Sequence, residues 1–157
     1  MPTLDLFVYG TLRSEYGLPG TKTIVRELAP NHVQSGLPGE WVLDDYGLFC
    51  VKPDGRVGIP AIGPLKYASV VGDVIKVNAA DFTELCYYEG FPRLYELIGV
   101  EVYSNDRGSY RQAFAFAPVN AEQFGGPLPG GDYIAGLARE SDRPVTEDDN
   151  DVILSMF

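Results

Sequence analysis

Two stretches of the chain carry residue types that could do chemistry. The first ends at Glu89. Phe82, Leu85, Cys86 and Glu89 are spaced by three, one and three residues, so on a helix all four share one side. Three of the four are apolar, which turns that side toward a core and carries the carboxylate inward with it. An inward carboxylate is disfavoured unless it is paired, neutralised or lining a cavity. Desolvation raises its pKa, which suits a general acid/base working near neutral pH. Spacing alone leaves a second orientation open, in which the helix frays beside Gly90 and Glu89 turns to solvent.

The second stretch is Tyr9-Gly10-Thr11-Leu12. Leu4, Leu6 and Val8 alternate with Asp5 and Phe7, the period-two pattern of a strand. The strand runs into Gly10, a residue able to take backbone angles closed to others. A strand that breaks this way leaves N–H and C=O groups without ladder partners, and such groups can hold a small polar ligand. An N-terminal strand followed by an ordinary turn fits the same residues.

The remaining acids offer less. Glu84 lies off the apolar face of the helix, and the charge runs Asp44-Asp45 and Glu147–Asp149 read as solvated surface. Cys50 and Cys86 have no metal-ligand spacing, and His32 is the only histidine, so neither a zinc site nor a histidine-based dyad is expected. The glycines of Gly125–Gly131 (GGPLPGG) lack the strand-to-helix setting of a phosphate cradle and read as a flexible loop. No cofactor is expected.

The elements that must position these groups follow from pattern. A loop covers Ser14–Gly20, marked by Gly17, Pro19 and Gly20, and a short helix is expected over Thr21–Leu28, stopped by Pro30. Strands are expected at His32–Ser35, Glu40–Leu43, Leu48–Val51, Val57–Ile62 and Ala68–Val77, with an Asp-Gly hairpin tip at Pro53–Arg56. Asn78 is a good N-cap for a helix over Ala79–Tyr88, with Asp81 at N3, Gly90 as the terminal glycine and Pro92 preventing continuation. A second hairpin pairs Leu97–Tyr103 with Ser109–Ala117. Pro118–Phe124 has room for one helical turn, and Tyr133–Leu137 for a short strand or a helix start. Many strands, few helices and abundant Gly and Pro indicate an α+β domain on a closed or nearly closed β-barrel.

At 157 residues the chain is expected to form one domain, over 1–138, followed by an acidic, flexible tail over 139–157. The formal charge of −10 argues against nucleic acid and against an anionic membrane surface. No apolar run approaches a membrane span and no leader pattern opens the chain, so a cytoplasmic protein is expected.

VYGTLR near the start, the strand Val70-Val71-Gly72-Asp73-Val74, then Tyr88-Glu89-Gly90, then Gly131-Asp132-Tyr133 resemble, in that order, the landmarks of the gamma-glutamylcyclotransferase-like family. The resemblance spans residues 4–135. It implies a small mixed β-barrel with a few peripheral helices. It also implies a metal-independent enzyme that cyclises a small gamma-glutamyl amide to 5-oxoproline, in which Glu89 matches the family's catalytic acid/base. The Tyr9, Gly10, Thr11 and Leu12 turn would then bind the substrate, with Tyr9, Tyr95 and Tyr133 closing the pocket. Taken alone, each of those aromatic residues reads as core. Glu96 departs from the family pattern, standing where many members carry Arg after the tyrosine. Two other functions remain open: a non-catalytic binding module on the same scaffold, and an enzyme that removes a gamma-glutamyl group from a larger natural product.

Overall fold

The computed structural model describes residues 2–16, 23–91 and 93–140. The loop signals at Gly17, Pro19 and Gly20, the stop at Pro92 and the acidic segment 141–157 lie outside the described residues.

The described residues form a seven-stranded sheet with three α-helices and one short 3-10 turn, Ala121–Phe124. Its strands are β1 (Thr3–Val8), β2 (Val33–Ser35), β3 (Trp41–Val51), β4 (Val57–Asn78), β5 (Glu96–Ser104), β6 (Ser109–Ala117) and β7 (Gly126–Pro127). The helices are α1 (Ile24–Leu28), α2 (Ala79–Glu89) and α3 (Tyr133–Glu140). The strand order is β2-β4-β1-β6-β5-β3-β7, and an additional β3–β4 pairing folds the sheet back on itself into a near-ring. β1 is antiparallel to β4 and parallel to β6, while β3 is antiparallel to both β4 and β5. This is the expected α+β class, with the sheet closing to a near-ring as a nearly closed barrel would.

Four of the expected strands merge into two. Segments 40–43 and 48–51 are parts of β3, and 57–62 and 68–77 are parts of β4. The apparent interruptions are kinks within paired strands. Asp45 and Tyr67 both take positive φ, the register shifts between Asp44 and Tyr46, and the Asp45 carboxylate accepts the Tyr67 N–H at 3.2 Å. Both prolines of β4 are tolerated. Pro60 falls where the register shifts between Phe49 and Val51, so its missing N–H removes no ladder bond there.

The alternation expected in β1 is not seen in burial, since Leu4 and Asp5 are both half-buried. Leu6, Phe7 and Val8 are all buried, because Phe7 is covered as well as the inward residues. A side chain at Gly72 would begin 2.5 Å from Val8 O and 2.8 Å from the Phe7 ring, so a glycine lets these neighbours close in.

α2 forms as the caps require. Asn78 Oδ1 accepts the Asp81 N–H at 2.8 Å, and Gly90 ends the helix at φ 69°. Asp81 is also buried, where it accepts the Asn31 N–H at 3.0 Å. The segment 125–131 is not the loose loop its composition suggests. Gly126 and Pro127 pair with β3, Leu128 N–H donates to Leu48 O, and Gly131 O accepts the Val71 N–H. α3 carries through Glu140, whose carboxylate accepts the Val57 N–H, so Arg139 and Glu140 are helical where a tail was expected to begin.

Candidate functional site

At the open end of β1 the sheet leaves a cavity of about 260 Å³. Tyr9, Gly10, Thr11, Leu12, Glu89 and Tyr95 line it together, joined by Tyr88, Pro60, Phe116 and other apolar side chains. Six of the seven residues expected at the site are thus brought to one place. Tyr133 is not. It is buried behind this region, and its hydroxyl donates to Gly58 O at 3.1 Å.

Glu89 reaches the cavity because α2 stays helical to its last turn. Leu85 points into the core and Phe82 stacks on Phe116, so the apolar side of the helix is anchored and Glu89 follows it. The frayed orientation does not occur. Part of Glu89 is open to the cavity, but the protein packed around its carboxyl pushes the pKa up to about 8. Glu84, on the same helix, is exposed.

The shape of the turn is set by what surrounds it. Gly10 does not take a positive φ, contrary to the expectation from its type. Its requirement is space: a Cβ here would lie 2.5 Å from Pro60 Cγ. Arg13 N–H closes the turn on Gly10 O at 3.1 Å. Among the described residues the N–H groups of Gly10, Thr11 and Leu12 have no acceptor. Unpaired donors beside a cavity are suited to an anionic or carbonyl oxygen.

Two acids, the buried Asp73 and the half-buried Asp132, brace the turn from behind. Asp73 accepts the Ser14 N–H at 2.9 Å, the Ser14 hydroxyl at 3.1 Å and the Gly39 N–H at 2.7 Å. Arg13, only 1 % exposed, donates to Asp132 at 2.7 Å and to Glu15 at 3.0 Å. Asp132 in turn accepts the Ala135 N–H at the start of α3. The Gly-Asp pairs at 72–73 and 131–132 therefore act on the turn from outside the cavity.

The tyrosines of the cavity are tied to the backbone. Tyr9 donates to Phe116 O at 2.6 Å and Tyr95 to Pro60 O at 2.9 Å. The Tyr88 and Thr11 hydroxyls are hydrogen-bonded to each other. Burial raises all three phenol pKa values, and the nearby Glu89 charge raises them further; Tyr88 stands at about 12. All three phenols keep their protons at neutral pH. Tyr88 escaped the reading of the sequence although it lies three residues beyond Leu85, on the same helix side. Pro60 and Phe116 carried no local signal, since only the sheet pairing brings them to the turn.

A family model described as gamma-glutamyl cyclotransferase, AIG2-like, matches residues 6–135. The chain belongs to that family. Known structures of the same fold agree. A protein of Arabidopsis thaliana is 20 % identical at a TM-score of 0.61, covering 99 % of this chain and 82 % of its own. A structure described as gamma-glutamyl cyclotransferase is 17 % identical at a TM-score of 0.61, covering 98 % and 99 %. An AIG2-like protein of Mus musculus is 20 % identical at 0.58, covering 76 % and 79 %. No curated protein sequence matches the chain. The family match takes in the turn, Asp73, Glu89 and Asp132, so all the parts of the site described above fall within it. Among the described residues no helix is long and apolar enough to cross a membrane.

Proposed function

We propose that the protein converts a small gamma-glutamyl amide into 5-oxoproline and a free amine. The observation that carries this reading is the pairing, across one small cavity, of a desolvated carboxyl at Glu89 with unpaired N–H groups at Gly10–Leu12. A cavity of about 260 Å³ lies just below the range of drug-sized ligand sites, about 300–1,000 Å³, which suits a glutamyl group.

The reaction needs no nucleophile from the protein, no cofactor and no metal ion. The substrate's α-amine attacks its own γ-carbonyl carbon, a C–N bond closes the five-membered lactam, and the amide C–N bond breaks. Glu89 takes one proton from the α-ammonium and passes it to solvent, then carries the second proton of that nitrogen, released as the lactam closes, to the departing nitrogen. The turn N–H groups hold the glutamyl α-carboxylate and offer donors to the carbonyl oxygen as charge develops on it. Holding the two ends of the glutamyl chain folded supplies much of the acceleration as orientation.

Two observations weigh against the alternatives. Glu96, which departs from the family pattern and would be the best support for a binding module, is exposed and does not line the cavity. The 125–131 segment, which would favour a larger substrate by opening the pocket, is stitched to β3 and β4. The test is 5-oxoproline release from a panel of gamma-glutamyl amides in the presence of EDTA. Release by the parent protein and its loss in Glu89→Gln are expected; absence of release across the panel overturns the proposal.

A further inference from the structure

We infer that the amine released by this protein has an apolar body and that Leu94 selects it. The inference rests on the proposed cyclisation and asks what leaves. In that reaction Glu89 must reach the departing nitrogen, so whatever that nitrogen carries begins beside Glu89 and continues toward the mouth. The residue found there is Leu94. It lines the cavity and is still 68 % exposed, which puts it at the rim. Its position relative to Glu89 is set by the helix end. Leu94 N–H donates to Gly90 O at 2.8 Å, and a Cβ at Gly90 would lie 2.8 Å from Leu94 Cδ1. The leucine side chain therefore lies against the residue that follows Glu89.

Its surroundings extend the apolar surface. Phe91, 40 % exposed, meets Phe116 edge-on at 6.2 Å, and Phe116 is a cavity wall. Phe124, at the end of the short helical turn Ala121–Phe124, also lines the cavity and meets Tyr95 edge-on at 5.8 Å. An alkyl or aralkyl group leaving past Glu89 would cover Leu94 and be desolvated by these rings. A scattered exposed leucine needs no explanation, but one that continues a cavity wall beside the proton donor is placed to read a substituent.

The test compares gamma-glutamyl methylamide with gamma-glutamyl n-hexylamide, in the parent protein and in Leu94→Ser. Both binding, by calorimetry, and 5-oxoproline release are measured. The parent is expected to favour the hexylamide in kcat/KM and in affinity by about tenfold or more, and Leu94→Ser to reduce that ratio by about tenfold. Leu94 is exposed, so the variant should fold, and an unchanged melting temperature checks this. Equal use of the two amides by the parent, or a ratio untouched by Leu94→Ser, overturns the inference. If neither amide yields 5-oxoproline, the cyclisation itself falls, and the calorimetric ratio still decides whether Leu94 recognises an apolar group.

Discussion

A Cβ on Gly10 would stand 2.5 Å from Cγ of Pro60, so the turn that lines the cavity touches β4 with no room for a side chain. The proline cannot simply move aside, since its carbonyl holds the Tyr95 hydroxyl at 2.9 Å. Gly10→Ala should therefore shift the turn. The expected outcome is a stability loss of about 1–3 kcal/mol, as for other overpacked sites. A larger effect is expected on turnover, about 10²-fold if the donors move by about an ångström. Thermal melts beside 5-oxoproline kinetics check both. Full activity in a folded Gly10→Ala protein would remove the turn from the site.

Glu89→Gln should keep the fold and substrate binding while lowering turnover by about 10²- to 10⁴-fold. Glu84→Gln, on the exposed side of the same helix, should leave turnover near that of the parent. Steady-state kinetics of the two variants, measured with the same amide, separate a positioned acid/base from a general effect of helix charge.

The pH dependence follows from the direction of the Glu89 shift. Burial raises its pKa from 4.5 to about 8, so the folded protein holds this proton more tightly than the unfolded chain. The group therefore lowers stability progressively as pH rises from about 4.5 to about 8, and Glu89→Gln should flatten that slope in denaturant titrations. Catalysis runs the other way. The free enzyme must present the carboxylate to an α-ammonium, so kcat/KM should climb through a pKa near 8, and the glutamine variant should lose that limb.

Substrate variants test the turn without touching the protein. If the Gly10–Leu12 N–H groups hold the α-carboxylate, its α-amide should bind more weakly by about 1.5–3 kcal/mol for each charge-assisted hydrogen bond lost. The N-acetyl form should yield no 5-oxoproline, since its nitrogen is no longer a nucleophile. Calorimetry and product release on the two analogues give the answer, and indifference to the α-carboxylate would assign the donors another role.

The brace behind the turn predicts an asymmetry in stability. Asp132→Ala leaves the buried Arg13 guanidinium without its 2.7 Å partner and should cost about 1.5–3 kcal/mol. Glu15→Ala removes a partner that is 42 % exposed and should cost at most about 1 kcal/mol. Urea titrations of the two variants compare them directly. Equal losses would mean that Arg13 is not held mainly by Asp132.

Elements governed by local rules were legible before any packing was known. Caps and glycine position set α2, and the spacing of Phe82, Leu85, Cys86 and Glu89 put the carboxylate on the buried side, because a helix repeats at a fixed angle whatever surrounds it. The second hairpin and the Asp-Gly tip were legible for the same reason. Tertiary structure decided the rest. Whether Glu89 would be frayed or desolvated depended on packing from β6 through Phe116. Gly10 was needed for space rather than for its backbone angles, which only the approach of Pro60 reveals. Tyr9, Tyr95 and Tyr133 looked alike as residues, yet two line the cavity and the third is core. Those outcomes rest on contacts between segments far apart in the chain, and such contacts leave no periodic trace in the sequence because they are fixed by strand register and by the volume each neighbour leaves unfilled.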